Sequence, residues 1–142
     1  MQSPLSIQHN LDSSLSVQNI FNVAQKYHKI GRFNQSLRLA YNASQKDPDL
    51  QQQYQKHYLE TVKLGAEFAE EIGNHHQAAY YWKKLVEYQP NNVLAWHGLG
   101  IAKANLNDFS SAQQALTKCL QLQPDNPKVS SQLQEIQQLV HR

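Results

Sequence analysis

Three similar stretches of this chain each end near a proline, and the prolines are spaced a few tens of residues apart. The segments QKDPDL, EYQPNN and QLQPDN place Pro48, Pro90 and Pro124 next to Asp or Asn, and the prolines lie 42 and 34 residues apart. Proline cannot continue a helix through its interior, so each of these segments marks the end of an element. A regular series of such ends indicates an internal repeat.

A second marker follows the same intervals. KIGRFNQS and EIGNHHQA carry Gly31 and Gly73, which are again 42 residues apart, and NLNDFSSA carries Asn107 a further 34 residues on. Gly and Asn favour tight turns. Two independent markers with the same spacing strengthen the prediction of a repeat.

Apolar residues recur at helical spacing between the markers. In the first interval they precede and follow Gly31 at steps of mostly three and four: Val17, Ile20, Val23, Ala24, Tyr27 and Ile30, then Phe33, Leu37, Ala40, Tyr41 and Ser44. The pattern predicts a helix, a short turn and a second helix. One such pair cannot bury its own apolar face, so the pairs must stack.

With these features the chain resembles the tetratricopeptide repeats, whose 34-residue pattern is W-x2-L-G-x2-Y, then A-x3-F, then P. The best match is 93–126, where Lys103 replaces the tyrosine and Leu116 the phenylalanine. The matching positions there are Trp96, Leu99, Gly100, Phe109, Ala112 and Pro124. Looser matches are Ala24, Tyr27, Phe33, Ala43 and Pro48 in 17–50, and Ala66, Gly73, Ala78, Trp82 and Pro90 in 59–92.

The resemblance implies an all-α fold, a right-handed superhelical solenoid of antiparallel helix pairs. We expect a partly ordered N-terminal segment, three helix pairs and a C-terminal capping helix. Their ranges are 1–12, then 13–126 with pairs at about 17–50, 51–92 and 93–126, then 127–142. The capping helix carries one apolar stripe: Val129, Leu133, Ile136 and Val140.

The 42-residue interval contains eight residues beyond the unit length, which we assign to QQQYQKHY at 51–58. With Asp47 as cap and Pro48 in the first turn, they predict a long helix from about Asp49 to Ile72 that projects beyond the solenoid. Its stripe of Leu50, Tyr54 and Tyr58 has two interpretations. It packs on the N-terminal segment through Leu5, Ile7 or Leu11, or Tyr54 and Tyr58 contact a partner.

Repeats of this family usually bind partners through the first helix of each pair. The resemblance therefore implies a concave groove, whose candidate residues lie at spacings of three and four on the face opposite the packing positions. They are Gln18, Phe21, Asn22, Gln25, His28 and Lys29, then Glu60, Lys63, Glu67, Glu70 and Glu71, then Leu94, His97, Ile101, Ala104 and Asn105. The acidic middle set favours a partner peptide or helix with basic and apolar side chains, although such charges can also be merely solvated.

The family's chaperone-binding members clamp a C-terminal carboxylate with Lys, Arg and Asn. The matching places here hold Phe21, Gln25, Leu64, Leu94 and Gly98, so we expect no such clamp.

No constellation of residues predicts catalysis, a cofactor or a metal. LAWHGLG (94–100) lacks the spacing of a phosphate loop and is interpreted as packing, in which Gly100 lets the next helix approach closely. His75 and His76 are interpreted as a solvated turn, and Cys119 as a buried thiol.

Composition narrows the remaining classes. A net charge of +2 is too small to argue for nucleic acid, and the lack of a signal-like start predicts a cytoplasmic protein. We expect a non-enzymatic protein-interaction scaffold, with a role in assembling a larger complex as a further option. RNA binding by helical repeats is the alternative. Contacts through the long helix or the cap could also form a homodimer.

Overall fold

The computed structural model describes residues 15–141, which contain seven α-helices and no β-strand. Their bounds are α1 Leu15–Lys29, α2 Phe33–Lys46, α3 Gln51–Glu71, α4 His75–Tyr88, α5 Val93–Asn105, α6 Phe109–Leu122 and α7 Pro127–Val140. A short 3-10 helix, Pro48–Leu50, precedes α3. Among the described helices, none has both the length and the apolar character needed to cross a membrane. The predicted N-terminal segment 1–12 lies outside the described residues.

The chain divides into two compact units, the first ending at Thr61 and the second beginning at Val62. The boundary falls within α3, whose first half belongs to the first unit with α1 and α2. Its second half belongs to the second unit with α4, α5, α6 and α7. Each unit has its own core.

The three turn markers have the backbone that the sequence predicts. Gly31 and Gly73 have φ of 80° and 75°, and Asn107 has φ of 62°. This left-handed region is unfavourable for residues with a Cβ, and Asn tolerates it better than most. The residue type at each marker is therefore required by the tight turn between the two helices of a pair.

Asn or Asp side chains cap most of the following helices. Asn74, Asn92, Asp108 and Asn126 each accept a hydrogen bond from a backbone N–H in the first turn, at 3.1 to 3.2 Å. Asp47 caps the 3-10 helix in the same way, at 3.0 Å. The proline segments thus end one helix and supply the cap of the next. Hydrogen bonds from Ser111 also lower the pKa of the Asp108 carboxyl.

Small residues form the core of the first unit. Ala24 on α1 and Ala40 and Ala43 on α2 are completely buried, and they let the two helices approach closely around Phe21. Leu50 closes this cluster from the 3-10 helix. Tight packing without voids provides most of the stability of such a pair.

The N-terminal half of α3 contradicts one sequence prediction. A helix over about 49–72 is confirmed, but its first turns do not project as a free end. Leu50 is buried, and Tyr54 is half-buried against the core of the first unit. Tyr54 also contacts Tyr41 of α2, with ring centroids 6.0 Å apart. The added residues therefore contribute Tyr54 to the core of the first unit.

In the second unit, α5 and α6 pack through Gly100. A Cβ at this position would lie 2.7 Å from Cδ2 of Leu116, so only glycine leaves room for the leucine as it is placed. The packing interpretation of LAWHGLG is thereby confirmed. Leu116 is fully buried together with Ala112 and Cys119. The buried thiol is confirmed, and burial raises the pKa of Cys119.

Helix α7 covers this core through two of the predicted stripe positions. Val129 and Ile136 are buried and Leu133 packs beside them, whereas Val140 is 45% exposed at the helix end. The buried stripe thus ends one turn earlier than the sequence pattern predicts.

Replacing Leu116 by alanine is expected to lower the free energy of unfolding by about 3 kcal/mol, since it removes buried contacts and leaves a cavity next to Gly100. Urea unfolding followed by circular dichroism measures the change. Leu139→Ala is the matched control, because Leu139 is 42% exposed and its loss should change stability by less than about 0.5 kcal/mol. Equal effects of the two substitutions would contradict the assignment of Leu116 to the core.

Candidate functional site

The second unit contains a cavity of about 370 Å³, which we call the Trp82 cavity. Helix α5 forms one wall and α4 another, while α3 and α7 close the ends. The lining residues are Glu70, His75, Ala78, Trp82, Leu94, His97, Gly98, Ile101, Ala102, Asn105, Lys128 and Gln132. An apolar floor with a few converging polar groups is the usual composition of a ligand site.

Helix α5 presents one continuous face to this cavity. Leu94, His97, Ile101 and Asn105 follow each other at steps of three and four, which keeps them on one side of the helix. Asn92 caps the helix two residues before Leu94 and so fixes where this face begins. Leu94 is 56% exposed and offers an apolar side chain at the cavity.

The floor of the cavity is the indole ring of Trp82. A Cβ at Gly98 would lie 2.4 Å from Cε2 of Trp82, so the ring rests directly on the backbone of α5. The indole N–H donates a hydrogen bond to Oε1 of Glu70 at 2.6 Å. This bond holds a carboxylate at the edge of an aromatic floor.

Polar groups from α5 and α7 meet on the opposite side. Nε2 of His97 donates to Oε1 of Gln132 at 2.7 Å, which joins the two helices and fixes the imidazole tautomer. Lys128 and His75 complete the rim. The cavity thus places a carboxylate on one helix and an ammonium group on another, with apolar side chains between them.

Comparison with protein families gives one match, to the tetratricopeptide repeat at residues 93–126. Residues 93–126, the stretch that fits the repeat pattern best, are thus similar to one tetratricopeptide repeat. The matched range contains α5 and α6, so it supplies the α5 wall of the Trp82 cavity. No curated protein is similar enough to the chain to count as a relative.

Solved structures with a similar fold include two tetratricopeptide-repeat domains and MamA. The C-terminal domain of a Plasmodium falciparum protein named as an FK506-binding protein has a TM-score of 0.60 and 17% identity, covering 91% of each chain. The first such domain of Spaghetti (RPAP3), bound to the HSP90 peptide SRMEEVD, has a TM-score of 0.57 and 18% identity, covering 91% of this chain and 96% of that one. MamA AMB-1 has a TM-score of 0.58 and 20% identity, covering 89% and 64%. The predicted all-α fold class of antiparallel helix pairs is confirmed.

Part of the predicted groove set converges on the Trp82 cavity. Glu70, Leu94, His97, Ile101 and Asn105 all line it. Other members of the acidic set do not: Lys63 and Glu67 lie exposed on α3 with their charged groups 4.0 Å apart, and Glu71 is exposed outside the cavity. A pair on a helix surface of this kind contributes little to stability. Ala104 packs against the core around Leu116.

In the first unit, Phe21 is not a groove residue. Its side chain is 1% exposed and belongs to the core, because the helix face that it shares with Val17 and Ala24 packs against α2. Asn22 and Gln18 are exposed and joined by a hydrogen bond of 3.2 Å. The other predicted positions on exposed surface are Gln25, Lys29 and Glu60. Tyr58 is half-buried and its ring contacts that of Tyr54 at 5.9 Å.

His28 enters a polar cluster instead of an open surface. Its Nδ1 lies 2.6 Å from Oγ1 of Thr61, and its ring centroid is 5.5 Å from that of His57. Ser36 donates its only hydroxyl proton to the carbonyl of Ala24, so His57 donates from Nε2 to Oγ of Ser36 at 2.7 Å. The cluster joins α1, α2 and α3 within the first unit.

The sequence pattern missed His75, Trp82, Gly98, Lys128 and Gln132 as members of the cavity. Trp82 matched a packing position of the repeat, and His75 was interpreted as part of a solvated turn. His75 is instead half-buried in the first turn of α4, while its neighbour His76 is exposed. Lys128 and Gln132 come from α7, and no local pattern connects that helix with α5. Within residues 15–141, no three His, Cys, Asp or Glu side chains are grouped as metal ligands.

Burial, followed by the charge of neighbouring His28, lowers the pKa of His57 below its ordinary value of 6.5, and Glu60 opposes this only in part. Because its pKa is lower in the folded state, His57 takes up a proton at a higher pH in the unfolded chain than in the folded chain, beginning near pH 6.5. Stability is expected to fall as the pH decreases from about 7.5 to about 5.5.

Urea unfolding at both pH values measures this dependence. In His57→Gln the loss of stability at low pH should be smaller, because the buried titrating group is gone. His76→Gln, which changes an exposed imidazole, should behave like the wild type. The same pH dependence in all three proteins would show that His57 titrates normally when folded.

Proposed function

We propose that this chain is a non-enzymatic protein-interaction scaffold and that it binds a segment of another protein in the Trp82 cavity. The observation that carries the proposal is the convergence of Glu70, Trp82, Leu94 and His97 around one open, apolar-floored space. Large exposed apolar residues at the rim of such a space are typical of interaction sites.

The fold supports this class of function. In the structure of the first RPAP3 domain, a domain of the same fold holds a peptide of HSP90. The present chain differs at the places that form a carboxylate clamp in chaperone-binding members. Of these, Phe21 is buried in the core and Gly98 lies under the Trp82 ring. We therefore propose a partner other than a chaperone C-terminus.

The chemistry of the cavity favours a peptide or helix with both basic and apolar side chains. Glu70 is fixed by the indole N–H and offers its other oxygen to a Lys or Arg of the partner. Leu94 and Ile101 offer contacts to an aliphatic or aromatic side chain. Lys128 at the far end would select the direction of the segment, since it disfavours a second basic group there.

A role in assembling a larger complex is consistent with a small scaffold of this kind and remains part of the proposal. RNA binding has no positive support, because Glu60, Glu67, Glu70 and Glu71 are all exposed and would repel a phosphate backbone.

Reversing the charge at Glu70 is the sharpest test. The tagged full chain, with a photo-crosslinking amino acid in place of Leu94, should capture a protein from cells of the source organism. The purified partner should then bind Glu70→Lys at least about tenfold more weakly than the wild type in calorimetric titration, because the ion pair and the indole hydrogen bond are both lost.

Glu71→Lys is the matched control, because Glu71 is exposed next to Glu70 but does not line the cavity. It should bind like the wild type, with both variants folded by circular dichroism. A partner that binds the two variants equally tightly would place the interaction elsewhere. Recovery of RNA without protein would favour the alternative function.

A further inference from the structure

A second cavity, of about 310 Å³, lies between α4, α5 and α6 and shares no lining residue with the Trp82 cavity. We call it the Lys103 cavity. Val86, Trp96, Leu99 and Ala115 give it apolar walls. Its volume lies at the lower end of the roughly 300–1,000 Å³ of ligand pockets, which suits a single side chain or a short segment.

One departure from the repeat pattern lies in the lining of this cavity. Residue 103 is where the tetratricopeptide pattern has a tyrosine, and this chain has Lys103. The lysine does not take the place of the ring, because its ammonium group reaches 3.8 Å from the carboxylate of Asp108 at the turn. In the first repeat the corresponding position holds Tyr27, which is half-buried.

An open apolar space of this kind is unfavourable by itself, since the walls lose the dispersion contacts that a ring would make. An aromatic side chain of a partner protein would restore these dispersion contacts, because it resembles the tyrosine of the repeat pattern. Lys83 and Lys103 add two ammonium groups to the lining against one carboxylate, Glu87. Asp108 outside the lining also lies 3.8 Å from Lys103, but an exposed pair of this kind is weak and leaves the ammonium group accessible to another carboxylate. Ammonium groups are attracted to aromatic faces and to carboxylates.

We propose that the Lys103 cavity is a second interaction site, which receives an aromatic side chain flanked by acidic residues on a segment of a partner protein. The incoming ring takes the place of the tyrosine that the repeat lacks, between Trp96 and Ala115. The flanking carboxylates lie beside Lys83 and Lys103. This site is independent of the Trp82 cavity and of its proposed partner.

The probe is a synthetic peptide, acetyl-Gly-Asp-Tyr-Asp-Gly-amide, titrated into the full chain labelled with nitrogen-15. We expect its addition to shift the resonances of Trp96, Lys103 and Gln114, which line the cavity, and to leave those of His97 and Gln132 unchanged. Peptides with Ala in place of Tyr, or with Asn in place of both Asp, should bind at least about tenfold more weakly.

Lys103→Tyr tests the cause of the cavity. The ring that the pattern calls for should fill the space, raise the unfolding temperature and weaken peptide binding at least about tenfold. Lys46→Tyr, which changes an exposed lysine in the first unit, is the matched control and should bind like the wild type. Ala115→Leu narrows the cavity from another wall, and provides the same test if Lys103→Tyr does not fold.

Three outcomes overturn the proposal. If the Tyr and Ala peptides bind equally tightly, the aromatic ring has no role in binding. If only the resonances of His97 and Gln132 shift, the peptide binds in the Trp82 cavity. If the wild type and both cavity-filling variants bind the peptide equally tightly, the Lys103 cavity is not the binding site. In sedimentation, a dimer of the wild type that Lys103→Tyr abolishes would make the occupant a second copy of this chain.

Discussion

The structure depends on close helix approach through small residues. Alanines at the contact between paired helices are fully buried in both units, as at Ala24, Ala40 and Ala112. At Gly100 even a methyl group would clash with Leu116. Close approach turns weak individual dispersion contacts into a dense core, and it also fixes the register of each pair.

Two cavities of the second unit lie beside such small residues, Gly98 and Ala102 in one and Ala115 in the other. At Gly98 a glycine lets the Trp82 ring, which is 3% exposed, lie directly against the backbone of α5 beside the cavity. At Lys103 a lysine replaces the repeat's tyrosine and leaves an apolar space open. Gly98 has no side chain to separate α5 from the Trp82 ring. Lys103 has a side chain, but it does not fill the apolar space beside it. The second unit thus offers two chemically different surfaces, one with the Glu70 carboxylate and one with the ammonium groups of Lys83 and Lys103.

Local patterns predicted well those features that local physics decides. The turn positions Gly31, Gly73 and Asn107 have a left-handed backbone, and Asp47 beside Pro48 caps the short helix before α3. Phe21 is a position at which local spacing does not decide burial. Its spacing allowed both the groove face and the core face of α1, and only the packing of α2 against α1 decides between them. The prediction that His28 faces the groove was wrong for a similar reason. Its partners Thr61 and His57 lie about thirty residues away on α3.

The sequence by itself determined the helical repeat, the position of its turns and caps, and five of the residues that meet in the Trp82 cavity, because these depend on neighbours three or four positions away. Tertiary structure alone decided which helix faces are buried. It also brought Lys128 and Gln132 of α7 to the α5 face, and it left the space beside Lys103 open. These features arise from contacts between helices, where the fit of side chains from distant positions determines what is filled and what stays accessible.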